Sequence, residues 1–270
     1  MTKQTVLILG CGKIGSLISC LLSSSNDYNI HLADIDLNQV QSTIDNYTLK
    51  NTTAVSIDAT DEKQLLELMT KTKFNAVISS LPFFCNVIVA NTAGKTNTAY
   101  FDLTEDVEVT NHVKAISKGL STPFVPQCGL APGFISIAAE SLLEHFDILD
   151  SVKMRVGALP VNPNNALKYS LTWSTDGLIN EYGNICYGIE NKKITTLQPL
   201  EGYETITVDG LIYEAFNTSG GLGTLADTYK DKITTMNYKT IRYPGHCEQI
   251  KLLMNDLKLN DDRDTLKRIL

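Results

Sequence analysis

Residues Thr5–Asp34 read TVLILGCGKIGSLISCLLSSSNDYNIHLAD, and their pattern decides the fold. Val6-Leu7-Ile8-Leu9 is a short unbroken apolar run, as in a strand buried on both faces. Gly10-Cys11-Gly12-Lys13-Ile14-Gly15 then spells G-x-G-x-x-G. From Lys13 the apolar spacing turns helical, with Ile14, Ile18, Leu21 and Leu22 expected on one face. A second strand, Ile30-His31-Leu32-Ala33, ends at Asp34. Strand, glycine turn, helix, strand and acid in that order form a dinucleotide-binding pattern.

Each part has a physical task. Gly10 permits the tight turn, Gly12 lets a pyrophosphate approach the backbone, and Gly15 lets helix and strand pack closely. The helix start, with Lys13 and Ile14, offers unpaired N–H groups and a partial positive charge to phosphates. Asp34 is placed to accept hydrogen bonds from the adenosine ribose hydroxyls, with Ile35 beside it. A carboxylate there repels a 2′-phosphate, and residues 34–40 (DIDLNQV) hold no Arg or Lys to neutralise one. NAD is therefore expected ahead of NADP. Asp36 is the better candidate to cap the next helix.

Strand and helix patterns keep alternating. Strands are expected at Ala54–Ile57, Ala76–Ile78, Tyr100–Asp102 and from Phe124, with helices at Leu37–Tyr47, from an Asp61 cap through Met69, at Phe83–Ala93 and at Val107–Leu120. This predicts an α/β domain over residues 1–128, a Rossmann-type doubly wound parallel sheet. Ligands of such sheets lie at the carboxyl ends of the strands. Asp58 and Ala59 are expected near the adenine, and Ser79, Ser80, Leu81 and Pro82 along the phosphates and nicotinamide ribose. Each also fits ordinary turn chemistry.

At Cys128-Gly129-Leu130-Ala131-Pro132-Gly133 the pattern changes. A helix is expected over Phe134–Phe146. Strand-like runs follow at Ser151–Leu159, Leu167–Trp173, Ile185–Ile189, Lys193–Leu197, Glu204–Val208, Leu211–Phe216 and Thr235–Arg242. They predict a second, α+β domain of mainly antiparallel strands over 129–242, for substrate binding and dimerisation. Two short helices are expected in a C-terminal segment, 243–270.

Composition limits the function. Hydrophobic residues make up 43% and charged residues 20% of the 270, and the net charge is −7. The acidic balance argues against nucleic acid as a partner, and no basic amphipathic stretch suits a membrane surface. MTKQTVLIL enters the first strand at once, without the pattern of a signal peptide. The six cysteines (11, 20, 85, 128, 186 and 247) form no C-x-x-C and no zinc spacing, so no metal and a cytoplasmic setting are expected.

The chain resembles the saccharopine dehydrogenase family, which includes saccharopine reductases and lysine 6-dehydrogenases. The resemblance rests on GCGKIG at 10–15, CGLAPGF at 128–134, LTWSTDGLINEY at 171–182, EAFNTSGGLGTL at 214–225 and KTIRYPGH at 239–246. Ala131 stands where saccharopine reductases carry an aspartate, which looks more like the lysine 6-dehydrogenase branch. Family members continue beyond the segment resembling DDRDTLKRIL, so the chain is read as a short or truncated member. The resemblance implies oxidation of a carbon–nitrogen bond of an amino acid or its adduct, with hydride passing to the nicotinamide and hydrolysis of the imine. Such chemistry needs a group to take the amine proton. Asp102 at a strand end, His246 after Pro244-Gly245, and Cys128 beside the glycine turn are the candidates. Asp102 also reads as a cap for Thr104–Asp106, His246 as a helix start and Cys128 as a small buried residue. For the substrate carboxylate, Arg242 offers a bidentate guanidinium, and Thr218, Ser219 and Gly220 offer hydroxyl and backbone donors. Trp173 would wall the pocket or sit in the core. Homodimerisation through the second domain's open strands is expected. The alternative is a non-catalytic dinucleotide-binding or sensor protein.

Overall fold

The computed structural model describes residues 3–270, which form two compact units parting between Cys128 and Gly129.

The first unit alternates β1 (Gln4–Leu9), α1 (Lys13–Ser25), β2 (Tyr28–Asp34), α2 (Leu37–Asn46), β3 (Thr52–Ser56), α3 (Glu62–Thr72), β4 (Ala76–Ser79), α4 (Asn86–Thr96), β5 (Ala99–Asp102), α5 (Val107–Ile116) and β6 (Phe124–Val125). All six strands are parallel, in the order β3-β2-β1-β4-β5-β6. This is the doubly wound order in which the chain crosses from one side of β1 to the other. Apolar runs drive it: Leu7, Ile8, Leu9, Ile30 and Leu32 are fully buried, each contributing about 1.5–3 kcal/mol by leaving water. Carboxylates start α2, α3 and α5. Asp36 accepts from the Asn38 and Gln39 amides, Asp61 from those of Lys63 and Gln64, and Asp106 from that of Val109.

The apolar face of α1 is not its most buried face. Ile14 and Leu21 are exposed, and the buried positions are Gly15, Ser19 and Ser23, with Ile18 and Leu22 packed beside them. The helix lies so close to the sheet at Gly15 that small residues face inward, and Ser19 turns its hydroxyl onto the Gly15 carbonyl at 2.8 Å.

The second unit contains α6 (Phe134–Leu143), β7 (Ser151–Val156), α7 (Thr175–Gly183), β8 (Cys186–Glu190), β9 (Lys193–Leu197), β10 (Glu204–Val208), β11 (Leu211–Asn217), α8 (Leu225–Tyr229), β12 (Thr235–Arg242), α9 (His246–Lys251) and α10 (Arg263–Ile269). The antiparallel strands run β10-β11-β12-β8-β9, and β7 joins β12 in parallel.

The segment Leu167–Trp173, expected as a strand, is irregular. Asn165 takes the place of a ladder partner there: its amide donates to the Tyr169 carbonyl at 2.6 Å and its oxygen accepts the Tyr169 N–H at 3.2 Å. The next residues form α7, capped by Ser174 on the Gly177 amide. Residues 243–270, expected as a separate segment, belong to this unit. Cys247, Ile250, Met254 and Leu266 complete the apolar cluster of Leu178, Tyr182 and Phe216. Short helices cannot bury an apolar face alone and must pack against a larger core.

Candidate active site

Parallel register brings the ends of the central strands of the first unit to one rim. Leu9 pairs with Ala33 and with Ser79, Ser79 with Asp102, and Asp34 with Ser56. The ends of these strands therefore share one edge of the sheet, along which Asp34, Gly10, Ser80 and Asp102 lie in the strand order β2-β1-β4-β5.

The glycine turn is built from below. Gly10 has φ +96°, and a Cβ on it would lie 2.9 Å from Ser80 Oγ. A Cβ on Gly15 would lie 1.8 Å from the Gly10 carbonyl oxygen. Ser80 donates its hydroxyl to the Leu9 and Gly10 carbonyls at 2.9 and 3.0 Å, and Leu81 packs on Gly10. Ser79 is buried and donates to Asn86 Oδ1 at 2.7 Å. These two serine hydroxyls thus shape the turn. Gly12 differs: a Cβ there would meet nothing within 4 Å. It faces open space at the start of α1, whose N-cap carries no side-chain bond. That is the cradle a pyrophosphate requires, with first-turn amides aimed outward. The residues present fit a dinucleotide.

Asp34 stands beside this turn. Its Oδ2 accepts the Cys11 N–H at 2.7 Å and its Oδ1 the Asp36 N–H at 3.2 Å. Ile35, next to it, is exposed. Asp58 holds the end of the neighbouring strand. Its Oδ1 accepts from the Thr60 hydroxyl and amide, which draw its carboxyl below the ordinary carboxylate range, and Ala59 lies between them. Lys13 and Ile14 open α1.

Asp102 lies on the same rim but is fully buried. Tyr100 donates its hydroxyl to Oδ2 at 2.6 Å, and the Thr104 and Gln127 amides donate to Oδ1, both at 3.0 Å. Burial raises its pKa against these hydrogen bonds. The geometry is that of a carboxylate tying together two chain segments, without an open face for an amine. Cys128 is exposed, donates to the Val125 carbonyl at 3.2 Å, and has its pKa raised first by desolvation and then by Asp102. It is a neutral thiol at physiological pH.

His246 and Arg242 belong to a buried polar cluster in the second unit. Arg242 Nε donates to the Tyr182 hydroxyl at 2.8 Å, and Nη1 donates to Thr240 Oγ1 and the Ile241 carbonyl. Nη2 stands 3.8 Å from Glu181, and the guanidinium lies 4.6 Å from the centre of the Tyr169 ring. Tyr182 stands 2.9 Å from His246 Nε2, and His246 Nδ1 is 2.7 Å from the Leu167 carbonyl. A carbonyl only accepts, so Nδ1 carries the proton and Nε2 receives that of Tyr182. Burial pushes the His246 pKa down to about 4. The imidazole is neutral and both its nitrogens are used.

The other substrate candidates also point inward. Trp173 donates to the Tyr169 hydroxyl at 3.0 Å. Ser219 donates to the Asn180 carbonyl at 3.0 Å, and Thr218 is buried. Gly220 has φ +86°, and a Cβ on the following Gly221 would strike the Tyr238 ring at 2.3 Å. Gly220 is thus explained by its left-handed backbone and Gly221 by packing on an aromatic ring. Sequence reading missed Tyr182, Glu181 and Glu214. Glu214 is buried and accepts the Gly245 and Cys247 amides at 2.8 and 2.6 Å. Its signal was a lone acid in the otherwise apolar run Leu211–Phe216. Among the described residues, no group of three His, Cys, Asp or Glu side chains could hold a metal, and no helix is long and apolar enough to cross a membrane.

Comparison with known proteins agrees with this architecture. The saccharopine dehydrogenase NADP binding domain model matches residues 6–122, and the saccharopine dehydrogenase C-terminal domain model matches 129–268. The rat mitochondrial alpha-aminoadipic semialdehyde synthase is 27% identical over 191 residues, 66% of this chain and 19% of its own length. The mouse protein is 23% identical over 264 residues, 92% of this chain and 28% of its own length. The chain thus spans a minor part of these curated relatives. The apo structure of saccharopine dehydrogenase (L-Glu forming) from Saccharomyces cerevisiae superimposes with a TM-score of 0.73 at 22% identity, over 93% of this chain and 57% of that one. The first unit is a domain for a nicotinamide dinucleotide, and the chain as a whole belongs to the saccharopine dehydrogenase family.

Proposed function

We propose that the chain is an NAD-linked oxidoreductase acting on the carbon–nitrogen bond of an amino acid or amino-acid adduct of the saccharopine or lysine type. The open Gly12 cradle beside a carboxylate, Asp34, that grips the same turn through the Cys11 N–H at 2.7 Å carries the cofactor part of this reading, and the saccharopine dehydrogenase domain matches over 6–122 and 129–268 support the carbon–nitrogen part. The preference for NAD over NADP is supported by the charges at that rim. Asp34 pairs with Ser56 across β2 and β3, Asp36 and Asp58 each follow two residues beyond these positions, and residues 34–40 carry no cation. The Asp36 carboxylate also occupies the first amides of α2, at 2.9 and 3.2 Å, so that helix start is closed to a 2′-phosphate. This differs from the NADP in the name of the matching domain family.

The bound dinucleotide supplies the hydride acceptor. The protein's part is to hold the pyrophosphate on the glycine turn and fix the adenosine ribose with Asp34. An alkyl amine has a pKa near 10.4 and must lose its proton before hydride departs. Asp102 and His246 are closed by their hydrogen bonds, so an alkaline medium can replace a protein base. The test is NADH formation at alkaline pH from NAD with lysine, saccharopine and a panel of amino acids. Turnover on one of them supports the reading and identifies the substrate.

A second reading is a dinucleotide-binding protein without turnover. The buried, fully bonded states of Asp102 and His246 favour it. It predicts NADH binding with no NADH formation on any member of the panel.

A further inference from the structure

Cys11, the middle residue of the glycine turn, is held from three directions. Asp34 accepts its N–H at 2.7 Å. Its thiol reaches Thr43 Oγ1 at 3.2 Å and, more loosely, the Gln39 carbonyl at 3.9 Å and Ser16 Oγ at 3.8 Å. Its carbonyl receives the Gln39 side-chain amide at 2.7 Å and the Ser16 hydroxyl at a longer 3.4 Å. Gln39 and Thr43 lie one turn apart on α2, so this helix is stapled to the turn. Gln39 is itself fixed, because Asp36 Oδ1 accepts its backbone N–H.

The carbonyl contact has a directional consequence. The Cys11 carbonyl and the Gly12 N–H belong to one planar trans peptide and point opposite ways. An amide that draws the carbonyl toward α2 turns the Gly12 N–H away from it. Among the described residues that N–H makes no hydrogen bond. We propose that Gln39 is a positioning residue for the dinucleotide pyrophosphate, acting through the Cys11–Gly12 peptide without touching the ligand. The proposal rests on the cofactor reading above.

The test uses the full 270-residue chain and measures the dissociation constants of NADH, ADP-ribose and adenosine. Gln39→Ala should weaken NADH and ADP-ribose alike, by roughly fivefold, the effect of one lost hydrogen bond. Adenosine, which has no phosphate, should bind as in the wild type. Gln39→Met keeps the length without the donor and should lose as much. Gln41→Ala, on the same helix, should change nothing. Unchanged ADP-ribose affinity in Gln39→Ala, or an equal loss for adenosine, overturns the proposal. A wild-type chain that binds none of these ligands refutes the cofactor reading instead.

Discussion

Acid should loosen the second unit through one histidine. His246 has a pKa near 6.5 when unfolded, and burial lowers it to about 4 in the fold. Between these values the unfolded chain binds a proton that the folded chain refuses. Stability is therefore complete above pH 6.5, declines as pH falls toward 4, and stops changing from this source below 4. One pKa unit is worth about 1.36 kcal/mol, so the full loss is about 3 kcal/mol, with about 2 kcal/mol gone by pH 5. Trp173 is the only tryptophan and sits against Tyr169 in this unit, so its fluorescence reports the relevant core. Urea unfolding followed by that signal, at pH 7, 6 and 5, gives the slope. His246→Gln removes the titration and should flatten the slope over this range, whatever it does to absolute stability. Glu204 responds in a separate window. Burial alone would raise its pKa, but bonds from Arg155 and Lys239 outweigh this and bring it to about 2, so its contribution is lost between pH 4.5 and 2. Equal slopes in the wild type and His246→Gln, or a folded-state NMR titration of His246 near 6.5, would refute the reasoning.

Asp34→Arg should weaken NAD binding by at least tenfold and improve binding of NADP, read by the two dissociation constants; equal NAD affinity before and after removes Asp34 from the ribose. Gly15→Ala should destabilise the first unit by about 3 kcal/mol or more, because its Cβ meets the Gly10 carbonyl and cannot move aside. Gly12→Ala should melt like the wild type and yet bind NADH at least tenfold more weakly, since its Cβ enters only the pyrophosphate cradle; wild-type affinity in this variant places the pyrophosphate elsewhere. Asp102→Asn should cost less than about 1 kcal/mol and leave turnover within a few fold, because Asn still accepts both amides and Tyr100 can accept in place of donating. A hundredfold fall in turnover with cofactor affinity intact would restore Asp102 as the proton acceptor.

The first unit was legible because its signals are local. An apolar run, a glycine turn and an acid at a strand end act within thirty residues, and the strand period brings the strand ends to one rim by simple register. Gly10, Gly12, Gly15 and Asp34 could be named on that basis. The same locality marked Asp36 and Asp61 as caps. The second unit was legible as strands but less so as chemistry. Arg242, His246, Thr218 and Ser219 have the residue types of a substrate site, and type alone does not say which way a side chain points. For three of them partners far along the chain decide it: Tyr182 for Arg242 and His246, and Asn180 for Ser219; Tyr238 likewise accounts for Gly221. Leu167–Trp173 carries a strand pattern, but the Asn165 side chain satisfies Tyr169 and replaces the ladder. Gln39 left no mark in the sequence, because its role depends on a 2.7 Å approach to a carbonyl of another element. Nearest-neighbour chemistry and periodicity determined where the glycine turn lies. Which polar groups remain open for chemistry was decided only by the tertiary structure, since an unpaired buried polar group is costly and the fold pairs most of them internally.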